Sequence, residues 1–171
     1  MQVVKNILLI IVTFWFAILL FMPKIDIYYT LENELSKQGI EINEKSIGEG
    51  VFSLLLEEVD VYVQGIKVVR VDEVNIFTLL FYSSLNIDAI KIDDSLKSFI
   101  PGTVDNVVVS HSIVSPFKVY INIIGSFGLA DGTIDLTNNI VRLNFEDSEK
   151  LNSIKKELKK DEKGWYYEKS F

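Results

Sequence analysis

The chain has 171 residues, enough for one domain of ordinary size with an appendage and too few for a two-domain enzyme. Hydrophobic residues make up 49% and charged residues 24%, so the chain can bury a core, while the absence of cysteine excludes a disulfide framework, a thiolate metal site and a cysteine nucleophile. A lone histidine, His111, leaves little for a histidine metal site or catalytic dyad, and a formal charge of −7 lacks the basic face that nucleic acid requires, which argues against most enzyme classes; no catalytic residue, metal, cofactor or nucleic-acid partner is expected.

From Ile7 to Met22 every residue except Thr13 is apolar, and the flank from Val3 to Asn6 extends the run to about the 20 positions a helix needs to cross the hydrocarbon. Residues 1–24 therefore read as a transmembrane anchor. A cleaved signal peptide is the competing reading, but Phe21-Met22-Pro23-Lys24 places large side chains and a proline where a peptidase requires small ones. Lys5 and the amino terminus favour a cytoplasmic N-terminus, with the body of this single-pass protein in the periplasm and Tyr28 and Tyr29 at the outer headgroup level. A cysteine-free body fits attachment to a bacterial inner membrane.

Residues 25–147 read as a β domain opened by a short helix. Ile27, Leu31 and Leu35 recur at four-residue steps between Asp26, a candidate N-cap, and Gly39, a C′ stop. The period then becomes two: Ile40 and Ile42, then Val59, Val61 and Val63 alternating with Asp60, Tyr62 and Gln64. Gln64-Gly65 predicts a tight hairpin, and the slip of phase from Val68 to Val69 in the return strand predicts a β-bulge. Asn75 to Ser84, dense in Phe77, Leu79, Leu80 and Phe81, reads as a short helical turn or buried crossing. Further strands are expected at Ile87 to Ile92, Val104 to Val109, Phe117 to Ile124, Gly132 to Leu136 and Val141 to Phe145. Pro101-Gly102, Ser115-Pro116 and Thr137-Asn138-Asn139 mark loops and turns.

Residues 148–171 form the third segment. Leu151, Ile154 and Leu158 share a helical face with five lysines elsewhere between Ser148 and Lys160, which predicts an amphipathic helix; Gly164 to Tyr167 predicts a terminal edge strand that folds back, with Trp165 shielding a neighbour. Lys24 to Asp147 carries 9 basic and 19 acidic residues, whereas Ser148 to Phe171 carries 7 and 5, so the tail is a solvated helix face on an acidic sheet or an electrostatic docking segment. The fold class expected is mainly β with flanking helices: a transmembrane helix, a twisted, curled, mostly antiparallel sheet and a C-terminal amphipathic helix. Several strands are apolar in both phases. The sheet then either curls into a closed core capped by the two amphipathic helices or keeps an apolar concave side for an acyl chain or a partner.

Four groups invite a chemical reading. Glu57, Glu58 and Asp60 form the densest acidic cluster, but only Glu58 and Asp60 share a strand face, and the expected role is a solvated strand edge and not a metal site. Asp93-Asp94 reads as a turn or cap. His111 stands between Ser110 and Ser112, whose adjacency does not allow hydroxyl and imidazole to meet, so it reads as structural. Gly125-Ser126-Phe127-Gly128 lacks the lysine of a phosphate loop and reads as a sharp bend or close backbone approach.

The anchor, "MPKIDIYYTLENELSKQGIEI", "LLLEEVDVYVQGIKVVRVDEVNI", "LNIDAIKID" and "GSFGLADGTIDL" follow one another in an order that resembles the periplasmic part of the N component of type II secretion systems (GspN) and, more distantly, AsmA-like proteins. This resemblance covers Ile7 to about Leu136. It implies a non-enzymatic, bitopic inner-membrane protein serving as accessory or scaffold of a type II secretion-like or related DNA-uptake apparatus, with other secretion or transformation proteins as partners. The AsmA-like alternative implies a phospholipid-binding module in envelope maintenance.

Overall fold

Glutamine 2 to Phe21 form helix α1, whose 20 residues at about 1.5 Å each span about 30 Å, the thickness of a bilayer's hydrocarbon. It is long and apolar enough to cross a membrane. The computed structural model describes residues 2–79, 81–93, 103–146, 157–162 and 164–171. Pro23, which has no N–H to continue a helical ladder, separates α1 from helix α2 (Lys24–Lys37). Pro23 takes the N-cap position that the sequence assigns to Asp26, and Asp26 lies in the first turn, where its charge suits the positive helix end. At the other end the amides of Gln38 and Gly39 reach the carbonyls of Leu35 and Ser36 at 2.9 Å, with Gly39 at φ +78° as a C′ stop requires.

Everything described beyond α2 is one antiparallel sheet. Its strands are β1 (Ile40–Asn43), β2 (Ser46–Glu49), β3 (Ser53–Val63), β4 (Ile66–Leu79), β5 (Tyr82–Ile92), β6 (Val104–Ser112), β7 (Lys118–Gly125), β8 (Gly128–Asp135), β9 (Ile140–Phe145), β10 (Lys159–Asp161) and β11 (Gly164–Ser170). The order is β1-β3-β4-β5-β6-β7-β8-β9-β11-β10, with β2 also paired to β3. β1 lies along Asp60–Val63 and β2 along Leu54–Glu57, so the two short strands share the outer side of β3. Gln64 and Gly65 both have positive φ, +52° and +78°, the requirement of the tight hairpin read from the sequence. The register slips between Val61 and Tyr62, leaving Val68 unpaired in the ladder, which is the expected bulge.

Three expectations about the body and tail meet the sheet differently. Asn75 to Ser84 is no helical turn or crossing: β4 runs to Leu79 and β5 starts at Tyr82, with Phe77 opposite Ser84. At this hairpin end the rings of Phe77 and Tyr82 pack at 6.5 Å, while Phe81 is exposed. Of the segment expected to be a C-terminal helix, residues 148–156 lie outside the described residues. Lys159 and Lys160 pair with Tyr166 and Trp165 in β10, while Leu151 and Ile154 lie outside the described residues. Gly164 to Tyr167 is strand as expected but not an edge, because β9 and β10 flank β11.

Finally, the sheet is open: among the described residues no pairing joins the β1–β2 side to β10. Accessible surface totals 11,505 Å², against the roughly 8,500 Å² that size scaling gives for a compact chain of this mass. The core is divided accordingly. Tyr28 of α2 packs with Leu54, Leu56, Val59 and Val71 at one end, and Phe127, Ala130 and Leu158 pack with Phe145 and Trp165 at the other.

Candidate functional site

Register places alternate side chains of an antiparallel sheet in rows across one face. One such row runs Leu56, Val74, Ile87, Val107, Ile123, Ala130, Phe145, Trp165. The next runs Leu54, Ile76, Leu85, Val109, Ile121, Gly132, Leu143, Tyr167. Each row takes one residue from each of eight consecutive strands, and neither contains a charged side chain. On the opposite face the intervening row reads Leu55, Asn75, Asn86, Val108, Asn122, Asp131, Asn144, Tyr166, with five amides and carboxylates among its eight members. The sheet is therefore two-sided, apolar on one face and mainly polar on the other.

Within β3 and β5 the apolar face is extended by reversals of phase. Glu58 and Ala89 adopt φ of +48° and +54°, a conformation that breaks strict alternation. Leu54 and Leu56 before Glu58, and Val59 after it, consequently join one buried cluster, as do Ile87 and Ile90 around Ala89. The two-phase apolarity seen in the sequence is one face with a step in it. Cover over that face is uneven. The ends carry the two clusters, whereas Leu85, Val107, Val109 and Ile121 belong to neither and are only half-buried.

At the end next to α1 lies a cavity of about 190 Å³, lined by Leu19 and Met22 around the end of α1, by Ile27, Tyr28 and Leu31 of α2, and by Phe52, Leu54, Ile76 and Thr78 of the sheet end. Leu54 and Ile76 are the first two members of an apolar row, so the cavity is continuous with the sheet's floor. Leu19 is the one buried residue of α1. Lys24 is the single charged residue of the lining, its Nζ 3.4 Å from Glu49. Tyr28 donates its hydroxyl proton to Glu44 at 2.7 Å. Burial first and that carboxylate second hold its phenol well above the ordinary range. Glu32 on the same helix is also raised, by burial and then by Glu44.

The groups singled out by residue type make the following contacts. Glu58 and Asp60 do share a face, where Arg70 approaches both, at 2.8 and 3.9 Å, and Lys67 pairs with Asp60 at 2.7 Å. Hydrogen bonding from Lys45, with the charge of Arg70, holds the Glu58 carboxyl below its usual range, and Glu57 accepts from the Ser46 hydroxyl. Their strand is internal to the sheet, so they form an ion-paired cluster and not a strand edge. His111 ends β6 with Nε2 3.1 Å from the Pro116 carbonyl, which can only accept, so that nitrogen carries the proton. The Asp93 amide donates to the Val68 carbonyl at 3.0 Å, and Asp94 lies outside the described residues. Gly125 meets the expectation of close approach, since a Cβ there would lie 2.5 Å from the Thr103 carbonyl oxygen. The rows themselves were not visible in the sequence, because they depend on registers that only the turns and bulges determine. No family profile, curated protein or solved structure matches the chain.

Proposed function

We propose that this chain is a non-enzymatic single-pass membrane protein whose open sheet holds the acyl chains of membrane phospholipid along its apolar face. One observation carries the reading: two uncharged rows cross eight strands on a single face, remain half-open between their covered ends, and begin at a cavity bordered by the membrane-length helix. An open apolar floor of this extent is unfavourable in water and marks a binding surface. An acyl chain suits it because the chain exchanges one apolar environment for another, while each methylene kept from water is worth about 0.8 kcal/mol. The polar opposite face stays in solvent. With Lys5 and the amino terminus retained on the cytoplasmic side, the sheet belongs to the periplasmic side of a bacterial inner membrane.

The accessory role in a type II secretion-like or DNA-uptake machine is the second reading, and it places a protein partner on the same face. Native mass spectrometry of the full-length chain separates the two. Phospholipid adducts are expected on the wild-type protein, and Val107→Asp or Ile121→Asp, which set a charge in the open part of the floor, should remove them. A clean apo mass from the wild type, with partner proteins recovered by crosslinking in native membranes, contradicts lipid binding and supports the machine component.

A further inference from the structure

The membrane-proximal cavity has one charged lining residue, Lys24, which pairs with Glu49, and its other polar members are Tyr28 and Thr78. The Lys24 side chain is only 13% exposed, and the 3.4 Å contact of its Nζ with Glu49 is long for an ion pair. An ammonium has three donors, so this one retains capacity for another acceptor. Glu49, at 39% exposure, faces outward beside it and is available to a cationic donor. Both lie just beyond α1, whose length matches the hydrocarbon, so they stand at headgroup depth whichever way the chain is oriented. The cavity that Lys24 lines is otherwise uncharged, with room for several methylene groups, and is bordered by Leu19, Ile27 and Phe52 and by Leu54 and Ile76 of the sheet's floor.

We propose that this cavity is the site where a phospholipid enters the sheet, and that the Lys24–Glu49 pair selects a zwitterionic headgroup with a primary ammonium. The phosphate takes the free donors of Lys24, the headgroup ammonium donates to Glu49, and the first stretch of one acyl chain lies against Leu54 and Ile76. A net-neutral rim pairs with a net-neutral headgroup. An anionic headgroup satisfies Lys24 but sets its surplus charge against Glu49. The inference rests on the lipid-binding reading above and adds the entry site and the headgroup class.

The full-length chain in nanodiscs of phosphatidylethanolamine and phosphatidylglycerol, doped with a diazirine-tailed analogue of one or the other, tests it. Capture is read on peptides carrying Phe52–Leu54, for the cavity, and Val107–Val109, for the middle of the floor. Wild type should label the cavity peptide more with the ethanolamine analogue. Glu49→Gln should shift that ratio about fivefold toward the glycerol analogue, as one charge near a membrane surface predicts. Lys24→Gln should lower cavity capture of both. Leu54→Trp should block cavity capture and reduce labelling further along the floor. Labelling of the middle of the floor without the cavity overturns the entry site and leaves the lipid-binding reading standing. Cavity labelling indifferent to headgroup in wild type and both charge variants overturns the selectivity, and no labelling of either peptide overturns both proposals.

Discussion

A few backbone positions decide which side chains share a face. Glu58 and Ala89 hold left-handed φ without being glycine, and each reverses alternation so that residues of both parities enter the same cluster. The sequence shows the apolar residues but not the step, because neither glutamate nor alanine announces positive φ. The ion pairs of Glu58 to Lys45 and Arg70 accompany this conformation and hold its carboxyl down; at Asp135 the backbone amide of Asn138 and then its side chain do the same for the β8–β9 turn. A carboxyl depressed in the fold adds stability that is complete above its unfolded pKa, near 4, and is lost as pH falls through the lower folded value. Melting temperature should accordingly drop on acidification below about pH 4, and Glu58→Gln with Asp135→Asn should flatten that acid limb; an unchanged pH profile in the double variant would show that neither ionisation matters. Gly132 is a different case. It occupies an apolar row where the backbone carbonyl of Arg142 and the Leu143 side chain fill the space of a Cβ. Gly132→Ala should destabilise by about 1–3 kcal/mol, read as a fall of some 3–9 °C in the melt of the full-length protein in detergent.

Helix α2 is the element that joins α1 to the sheet. Its single buried residue, Tyr28, packs on Leu54, Leu56, Val59 and Val71 and ties its hydroxyl to Glu44 in the turn between β1 and β2. Tyr28→Phe should cost about 1 kcal/mol, the worth of one hydrogen bond, and Tyr28→Ala about 3–5 kcal/mol, because the cavity left behind adds to the lost burial. Thermal melts of the two variants distinguish these outcomes, and equal losses would mean that the ring itself contributes little. The four-residue spacing made α2 legible before its structure was known, as positive-φ turn residues made the Gln64-Gly65 hairpin legible. Asn75 to Ser84 was not legible, since large apolar residues stand in both phases at this hairpin end, where Phe81 and Tyr82 are exposed. The tail was legible only in part: Leu158 does face a core, at 8% exposure, on the approach to the short strand β10, while Leu151 and Ile154 lie outside the described residues. Charge and apolar spacing identify a side that is buried and do not identify the partner that buries it.

At the scale of the molecule, β11 binds the tail's aromatic residues to the sheet. Trp165 lies opposite Phe145, as shielding of a neighbouring strand requires, and Lys160 sits 5.6 Å above the Trp165 ring. Antiparallel architecture was legible from the alternation and turns, whereas openness was not, because closure depends on whether the first and last strands meet. What results is an apolar floor with covered ends and an open middle, extending from the cavity beside α1 across the sheet. The central claim is that phospholipid acyl chains lie on that floor. Face-specific photo-crosslinking tests it most directly, with benzoylphenylalanine placed in the full-length chain at Val107 or Ile121 on the apolar face and at Asn122 on the polar face, and irradiation in intact membranes. The account predicts lipid adducts from Val107 and Ile121 and none from Asn122. Equal lipid labelling from both faces, or protein adducts alone from the apolar positions, would contradict it.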